Sequence, residues 1–223
     1  MRLQLFLLER AKSKEQGLTL IECLMGILLL TSILIGIAPP LAIVVATRVQ
    51  NRRAEQAQQL AQAEIDRIRV LVAQSGYTKA HLPGVETGSP ETVNMTIRNQ
   101  LSSPVSCSGK TPEDNQNLRP TELVKVDVDG NCETDFLVQS VRSQGQSINS
   151  NRPPGRFTMT VRVYAALGRE QGGLTLNTKQ AALKLAGGQG SQNTNPLAVV
   201  QTEIFALDSD NTGCILNASL CVE

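Results

Sequence analysis

The side chains able to do chemistry in this chain are few and unevenly placed. A lone carboxylate, Glu22, stands at the head of 25 uncharged residues, Cys23–Thr47. An ionisable group inside an apolar span is costly to keep there, so it calls for a cationic partner; at the headgroup level it simply stays wet. A second acidic group, Asp127-Val-Asp129-Gly130-Asn131-Cys-Glu133-Thr-Asp135, offers oxygens at alternate positions around a turn glycine. That is part of the pattern of a calcium loop, with Asp127, Asp129, Asn131, Glu133 and Asp135 as ligands. The EF-hand spacing is not met, and an acidic turn between two strands explains the same residues. Four cysteines, Cys107, Cys132, Cys214 and Cys221, form an even set open to three pairings, of which Cys214–Cys221 closes the shorter loop and Cys107–Cys132 the next; without CxxC spacing they do not read as a zinc site. Cys23 reads as a small apolar residue.

Other chemistries are discouraged by composition. The 223 residues include one His (His81), no Trp and 3% aromatics, at a formal net charge of +1. A His-dependent triad or a His metal site has little to draw on, and a nucleic-acid surface would need more basic charge and more stacking rings. No G-x-S-x-G, H-E-x-x-H or Gly-rich phosphate loop is present, so catalysis is not expected.

The elements that hold these groups follow from hydropathy. Of the 30 residues 18–47, 21 are apolar, long enough to cross a bilayer as helix and too long for the apolar region of a cleaved secretory signal. Arg2, Arg10, Lys12 and Lys14 outweigh Glu9 and Glu15 before it, favouring a cytoplasmic N-terminus. Arg48, Arg52 and Arg53 on the far side argue the other way, but the cysteines suit export to an oxidising compartment. Gly36, Pro39 and Pro40 predict a kink or opening of the helix. From Arg48 to Gln74 the spacing of Ala54, Ala57, Ala61, Ile65, Ile68 and Val72 predicts an amphipathic helix packed on the chain's own exported domain. A helix over residues 18–74 would run roughly 85 Å.

The junction Lys14-Glu15-Gln16-Gly17-Leu18-Thr19-Leu20-Ile21-Glu22, with the apolar run behind it, resembles the type IV prepilin and pseudopilin family over residues 10–70. Leu18 stands where most members carry Phe or Met. The resemblance implies a leader, residues 1–17, cut after Gly17 by a prepilin peptidase that then methylates the amine of Leu18. A Gly lets the protease approach the backbone closely, and the new amine, with an unperturbed pKa of about 8, is mostly cationic at neutral pH. Glu22 would neutralise that amine on a neighbouring subunit and fix its register, while the helix loosens near Pro39 in the fibre. The resemblance also implies a disulfide closing the C-terminal loop, Cys214–Cys221. The partners are then other pilin or pseudopilin subunits, the peptidase and an inner-membrane assembly platform. The location is the bacterial inner membrane, N-terminus cytoplasmic and domain periplasmic, and after processing the fibre. A further segment, D-x-D-G-N…D-F-L-V-Q-S-V-R-S-Q-G, looks like pseudopilins of cyanobacterial hormogonium polysaccharide secretion.

Residues 75–223 carry 12 basic and 14 acidic side chains. Residues 75–122, with five of the ten prolines, read as an irregular connection. Strands are expected at Val124–Val128, Phe136–Val141, Phe157–Leu167, Leu174–Leu176 and Ala198–Leu207, with a loop at Gly187–Asn195 and Ala181–Ala186 open between strand and helix. The expected fold is α+β and pilin-like: a long N-terminal helix, membrane-spanning in its first half, packed on a C-terminal antiparallel sheet. The divisions are leader 1–17, span 18–47, amphipathic helix 48–74 and exported domain 75–223.

The function expected is therefore structural, a minor pilin or pseudopilin serving polysaccharide secretion or motility. The competing class is a single-span membrane-anchored periplasmic enzyme or polysaccharide-binding module. No organic cofactor is called for, and calcium is the one ion to which the residues point. The mature protein should begin at an N-methylated Leu18. Mass spectrometry of the purified protein checks this, and an intact Met1 would defeat the assignment.

Overall fold

A computed structural model describes residues 19–74, 76–86, 95–110, 117–149, 151–166, 174, 176, 179–182 and 194–206. The chain divides into two compact units, Met1–Val45 and Ala46–Glu223. Helix α1, Leu20–Ala73, contributes to both.

In the first unit the described residues are helix with apolar side chains on every side. Leu24, Leu28, Ile33, Ile35 and Leu41 are all exposed. The window Leu20–Ile37 is long and apolar enough to cross a membrane, and none of it is buried by the protein. Its 18 residues rise about 27 Å, close to the hydrocarbon thickness of a bilayer. Thr31 bonds back to the carbonyls of Ile27 and Leu28 at 2.9 and 3.0 Å, which hides its hydroxyl inside the ladder. Of the kink or opening expected at Pro39 and Pro40, the opening is absent: the helix is continuous through both. Each proline removes only the one bond its N–H would make four residues back, and the ladder resumes on either side.

In the second unit the polar residues after Arg48 give the helix a single apolar stripe. Ala57, Ala61, Ile65 and Ile68 are fully buried and Val72 nearly so, as the three-and-four spacing requires. The stripe lies in one core cluster with Phe136, Val138, Phe157, Met159, Val161, Val163, Ala198 and Ile204.

Those residues come from one face of a sheet. The strands are β1 (Gly84–Val85), β2 (Thr96–Ser102), β3 (Glu122–Val126), β4 (Phe136–Arg142), β5 (Arg156–Ala165) and β6 (Ala198–Phe205). Their order is β2-β3-β4-β5-β6, with β1 also pairing β4. The long central pairs are antiparallel: Val138 faces Val163 across β4–β5, and Val161 faces Val200 across β5–β6. The register puts every second residue against the helix. The fold is thus mixed α/β with a mostly antiparallel sheet.

Two pairs, β1–β4 and β2–β3, are parallel, a departure from the fully antiparallel sheet expected. Residues 75–122 are correspondingly not a plain connection. They hold a 3-10 turn at Lys79–His81, then β1 and β2. Thr-Ile-Arg-Asn-Gln-Leu-Ser of β2 is a half-exposed edge strand, so its apolar signal is thin beside Pro90 and Pro104, which flank it. Leu174 and Leu176 lie outside any strand; Leu174 instead packs near Leu123, Leu137 and Tyr164 on the sheet face away from the helix. The strands expected to end at Val128, Leu167 and Leu207 end at Val126, Ala165 and Phe205. Most of Gly187–Asn195 and of Ala181–Ala186 lies outside the described residues; Ala181 and Ala182 are neither strand nor helix.

The stripe sets the expected response to truncation. Ile65→Ala should destabilise the domain by about 2–5 kcal/mol. Val70→Ala, at a position 60% exposed on the same helix, should change stability by under about 0.5 kcal/mol. Denaturant melts of the full chain in detergent distinguish the two.

Candidate functional site

The head of α1 is built by its own sequence. The Thr19 carbonyl accepts from the Glu22 and Cys23 amides at 3.0 and 3.1 Å, and its hydroxyl accepts from the Glu22 amide at 3.3 Å. Thr-x-x-Glu is the signature of a capped helix start. Glu22 therefore occupies the first turn, where the helix dipole favours a negative charge. Its carboxylate is exposed and meets no side-chain partner among the described residues. Gly17 and Leu18, the expected processing site, lie outside the described residues. Pro39 lies within the helix, and its side chain lies outside the description. Thr19 belongs to the junction motif, and its spacing to Glu22 gives it a capping role that the motif alone does not state.

The acidic segment forms the turn between antiparallel β3 and β4. Asp127, only 2% exposed, organises it. One carboxylate oxygen accepts from the Gly130 amide at 2.8 Å; the other accepts from the Cys132 amide at 2.9 Å and the Ser103 hydroxyl at 2.7 Å. Asp129 accepts from the Asn131 amide, Asn131 from the Glu133 amide, and Asp135 from the Val128 amide. The alternation of oxygen-bearing side chains is the alternation of Asx turns, each side chain holding an amide near it. Gly130 and Cys132 take left-handed backbone, φ 81° and 65°, which costs the glycine nothing. Cys132 is held there by its bond to Asp127 and by a disulfide.

That disulfide joins Cys107 to Cys132, 25 residues apart. It ties the segment after β2 to the acidic turn, and a loop of this length stabilises the fold by about 3–4 kcal/mol through the unfolded chain. The pairing eliminates the crossed and the nested connectivities. Cys214 and Cys221 lie outside the described residues. Cys23 is free and exposed.

Of the residues expected to bind calcium, Asp127, Asp129 and Asp135 bring carboxylate oxygens within 4.8 Å of one another, and Glu133 does not join them; the Asn131 side-chain amide donates to Asp129 at 3.3 Å. Oxygen donors of this kind suit a hard cation, but here they already accept from backbone amides. A recess of about 330 Å³ adjoins them, lined by Asp129, Glu133, Asp135, Phe136 and, from the helix, Arg53 and Gln56.

A third polar group was invisible to pattern reading. Arg162, 2% exposed, donates to the Gln139 side-chain oxygen at 3.2 Å and lies 3.1 Å from Glu86. Gln139 in turn donates to the Pro120 carbonyl at 2.6 Å. Burial pushes the neighbouring Tyr164 phenol up, with Arg162 opposing and Glu86 reinforcing the shift. Arg162 alternates with the apolar residues of β5 and so reads as solvent-facing. Gln139 of β4 and Glu86 meet it instead, and nothing in the local sequence of β5 announces those partners.

On the opposite face, Glu64 of α1 accepts from Arg67 at 2.7 and 2.8 Å and from the Ser140 hydroxyl at 3.1 Å. It borders a groove of about 200 Å³ with Leu60, Ala63, Val124 and Val138. His81 is occupied locally, its Nδ1 accepting from the Thr78 amide at 3.2 Å.

The chain matches no family model, no curated protein and no solved structure. The functional reading therefore rests on the residues and their geometry.

Asp127 supplies a pH test of the acidic turn. Burial alone would raise its pKa, but hydrogen bonds from Ser103, Gly130 and Cys132 outweigh that and hold the carboxyl below the ordinary carboxylate range. A depressed folded pKa contributes stability above the unfolded value of about 3.9, lost as pH falls through the folded value. Thermal melts from neutral pH to about pH 2 should show this acid limb in the native protein. It should be flattened in Asp127→Asn, which starts less stable at neutral pH and converges with the native protein in acid.

Proposed function

We propose that this chain is a structural subunit, a minor pilin or pseudopilin, of a type IV pilus-like or type II secretion-like fibre. The observation that carries the reading is the wholly unburied apolar window Leu20–Ile37 behind the Gly17-Leu18-Thr19-Leu20-Ile21-Glu22 junction. Such a surface demands a lipid or protein environment. In this reading lipid covers the helix while the subunit waits in the bacterial inner membrane, and the helices of neighbouring subunits cover it in the fibre.

The mechanism is assembly. A prepilin peptidase removes residues 1–17 and methylates Leu18, and an inner-membrane platform lifts the subunit into the growing fibre. The amine of Leu18, with an unperturbed pKa of about 8, is largely cationic at neutral pH. The Glu22 carboxylate of an adjacent subunit pairs with it. In a low-dielectric fibre core an unpaired carboxylate is strongly disfavoured, so only the matching register is stable. Glu22 is suited to that role, being exposed and without a described side-chain partner in its own subunit.

The Cys107–Cys132 disulfide supports placing the domain in the periplasm, where disulfides persist. That gives a cytoplasmic N-terminus and a single pass. The segment from Asp127 to Gly145 supports the narrower reading of a fibre serving polysaccharide secretion or motility.

Glu22→Gln separates assembly from anchoring. Membrane insertion of the variant should match the native chain, while its incorporation into sheared fibres falls at least about tenfold, equivalent to about 1.4 kcal/mol. Normal incorporation of the variant would overturn the pairing.

A further inference from the structure

Three arginines follow the uncharged run at Arg48, Arg52 and Arg53, all exposed on α1. No ion pair or hydrogen bond joins their side chains to a described residue. Glu55 is the only acid between Arg48 and Gln56, leaving a net charge of +2 over that stretch. The three are not equivalent. Arg48 precedes Ala57, and Arg52 precedes Ala61, by nine residues, which is about 2.5 turns of helix. Ala57 and Ala61 are fully buried against the sheet. Arg48 and Arg52, one turn apart on a shared face, therefore project from the side of the helix opposite the domain. Arg53 does not: it lines the recess that holds Asp129, Glu133 and Asp135.

We propose that Arg48 and Arg52 form a binding site for the phosphate headgroups of anionic phospholipid, resting on the reading of the preceding segment as a membrane span. Twenty-five uncharged residues, Cys23–Thr47, amount to about 38 Å of helix. That exceeds the roughly 30 Å hydrocarbon core and approaches the 40–45 Å that includes headgroups, so the first cations beyond the run fall in a headgroup layer. Guanidinium groups match phosphate oxygens with paired N–H donors. Their long stems lie along apolar surface while the charge reaches outward, and Val49, 49% exposed between them, continues that surface. The site makes Arg48 and Arg52 lipid ligands, whatever their effect on topology.

The test uses the full chain in detergent micelles doped equally with phosphatidylglycerol and phosphatidylcholine, with retained lipid counted by native mass spectrometry. The native chain should retain phosphatidylglycerol on the order of tenfold over phosphatidylcholine, at about fivefold per arginine for two partly additive contacts. Arg53→Gln should keep that preference, and the pair Arg48→Gln with Arg52→Gln should lose it while melting like the native protein. Equal preference in native chain and double variant overturns the proposal. So does an equal loss in Arg53→Gln, because net charge alone would then explain the effect. Displacement of the lipid by glycerol phosphate at matched concentration also overturns it, marking a site for free phosphate. Alkaline carbonate washing of cell membranes keeps the two readings apart. A chain stripped by the wash defeats the span, whereas a chain that stays without lipid preference defeats only the site.

Discussion

The domain is organised by the packing of one helical stripe on one face of one sheet. Ala57, Ala61, Ile65, Ile68 and Val72 meet Phe157, Met159, Val161 and Val163 of β5 with their neighbours on β4 and β6. Burial of apolar surface at roughly 25 cal/mol per Å² is the largest favourable contribution available to such a domain. It dictates the register of the central strands, because a slip of one residue would turn Phe157, Met159, Val161 and Val163 away from the helix. It also dictates which helical face is left over for other surfaces, and so puts Arg48 and Arg52 on the outside.

The same helix is apolar on all sides over Leu20–Ile37, and none of that window is buried among the described residues. A stripe and a full apolar surface have different physical demands. The first is satisfied within the chain, the second only by lipid or by other subunits. That division of demands is what makes an assembling subunit the best reading, with Glu22 at the point where the unburied surface begins.

The sheet's second face mixes a small apolar cluster, Leu123, Leu137 and Tyr164, with buried polar side chains. Arg162 and Gln139 are buried there beside Tyr164; the charge of Arg162 is met by the Gln139 side-chain oxygen and by the partly exposed Glu86, while its Nε has no hydrogen-bond partner among the described residues. The acidic turn follows the same rule on a smaller scale. Asp127 is buried because two amides and a hydroxyl meet its oxygens, and the Cys107–Cys132 bond keeps the donors in place. The turn's acidity, which reads as ligand chemistry in one dimension, serves backbone geometry in three.

Local patterns were sufficient wherever a residue's role depends on its neighbours in the chain. The period of Ala57–Val72, the alternation of Phe157–Val163, the uncharged run after Glu22 and the turn around Gly130 could all be read directly, because helix, strand and turn are short-range structures. The capping of α1 by Thr19 through the Glu22 amide is equally local. What tertiary structure decided was long-range. It paired Cys107 with Cys132 rather than leaving the three connectivities open, made β2 a parallel edge beside β3, buried Arg162 beside Gln139 and Glu86, and turned Arg53 toward the acidic recess while Arg48 and Arg52 face outward. Each of those outcomes depends on which distant residues share a contact, and neither hydropathy nor spacing within one segment encodes that.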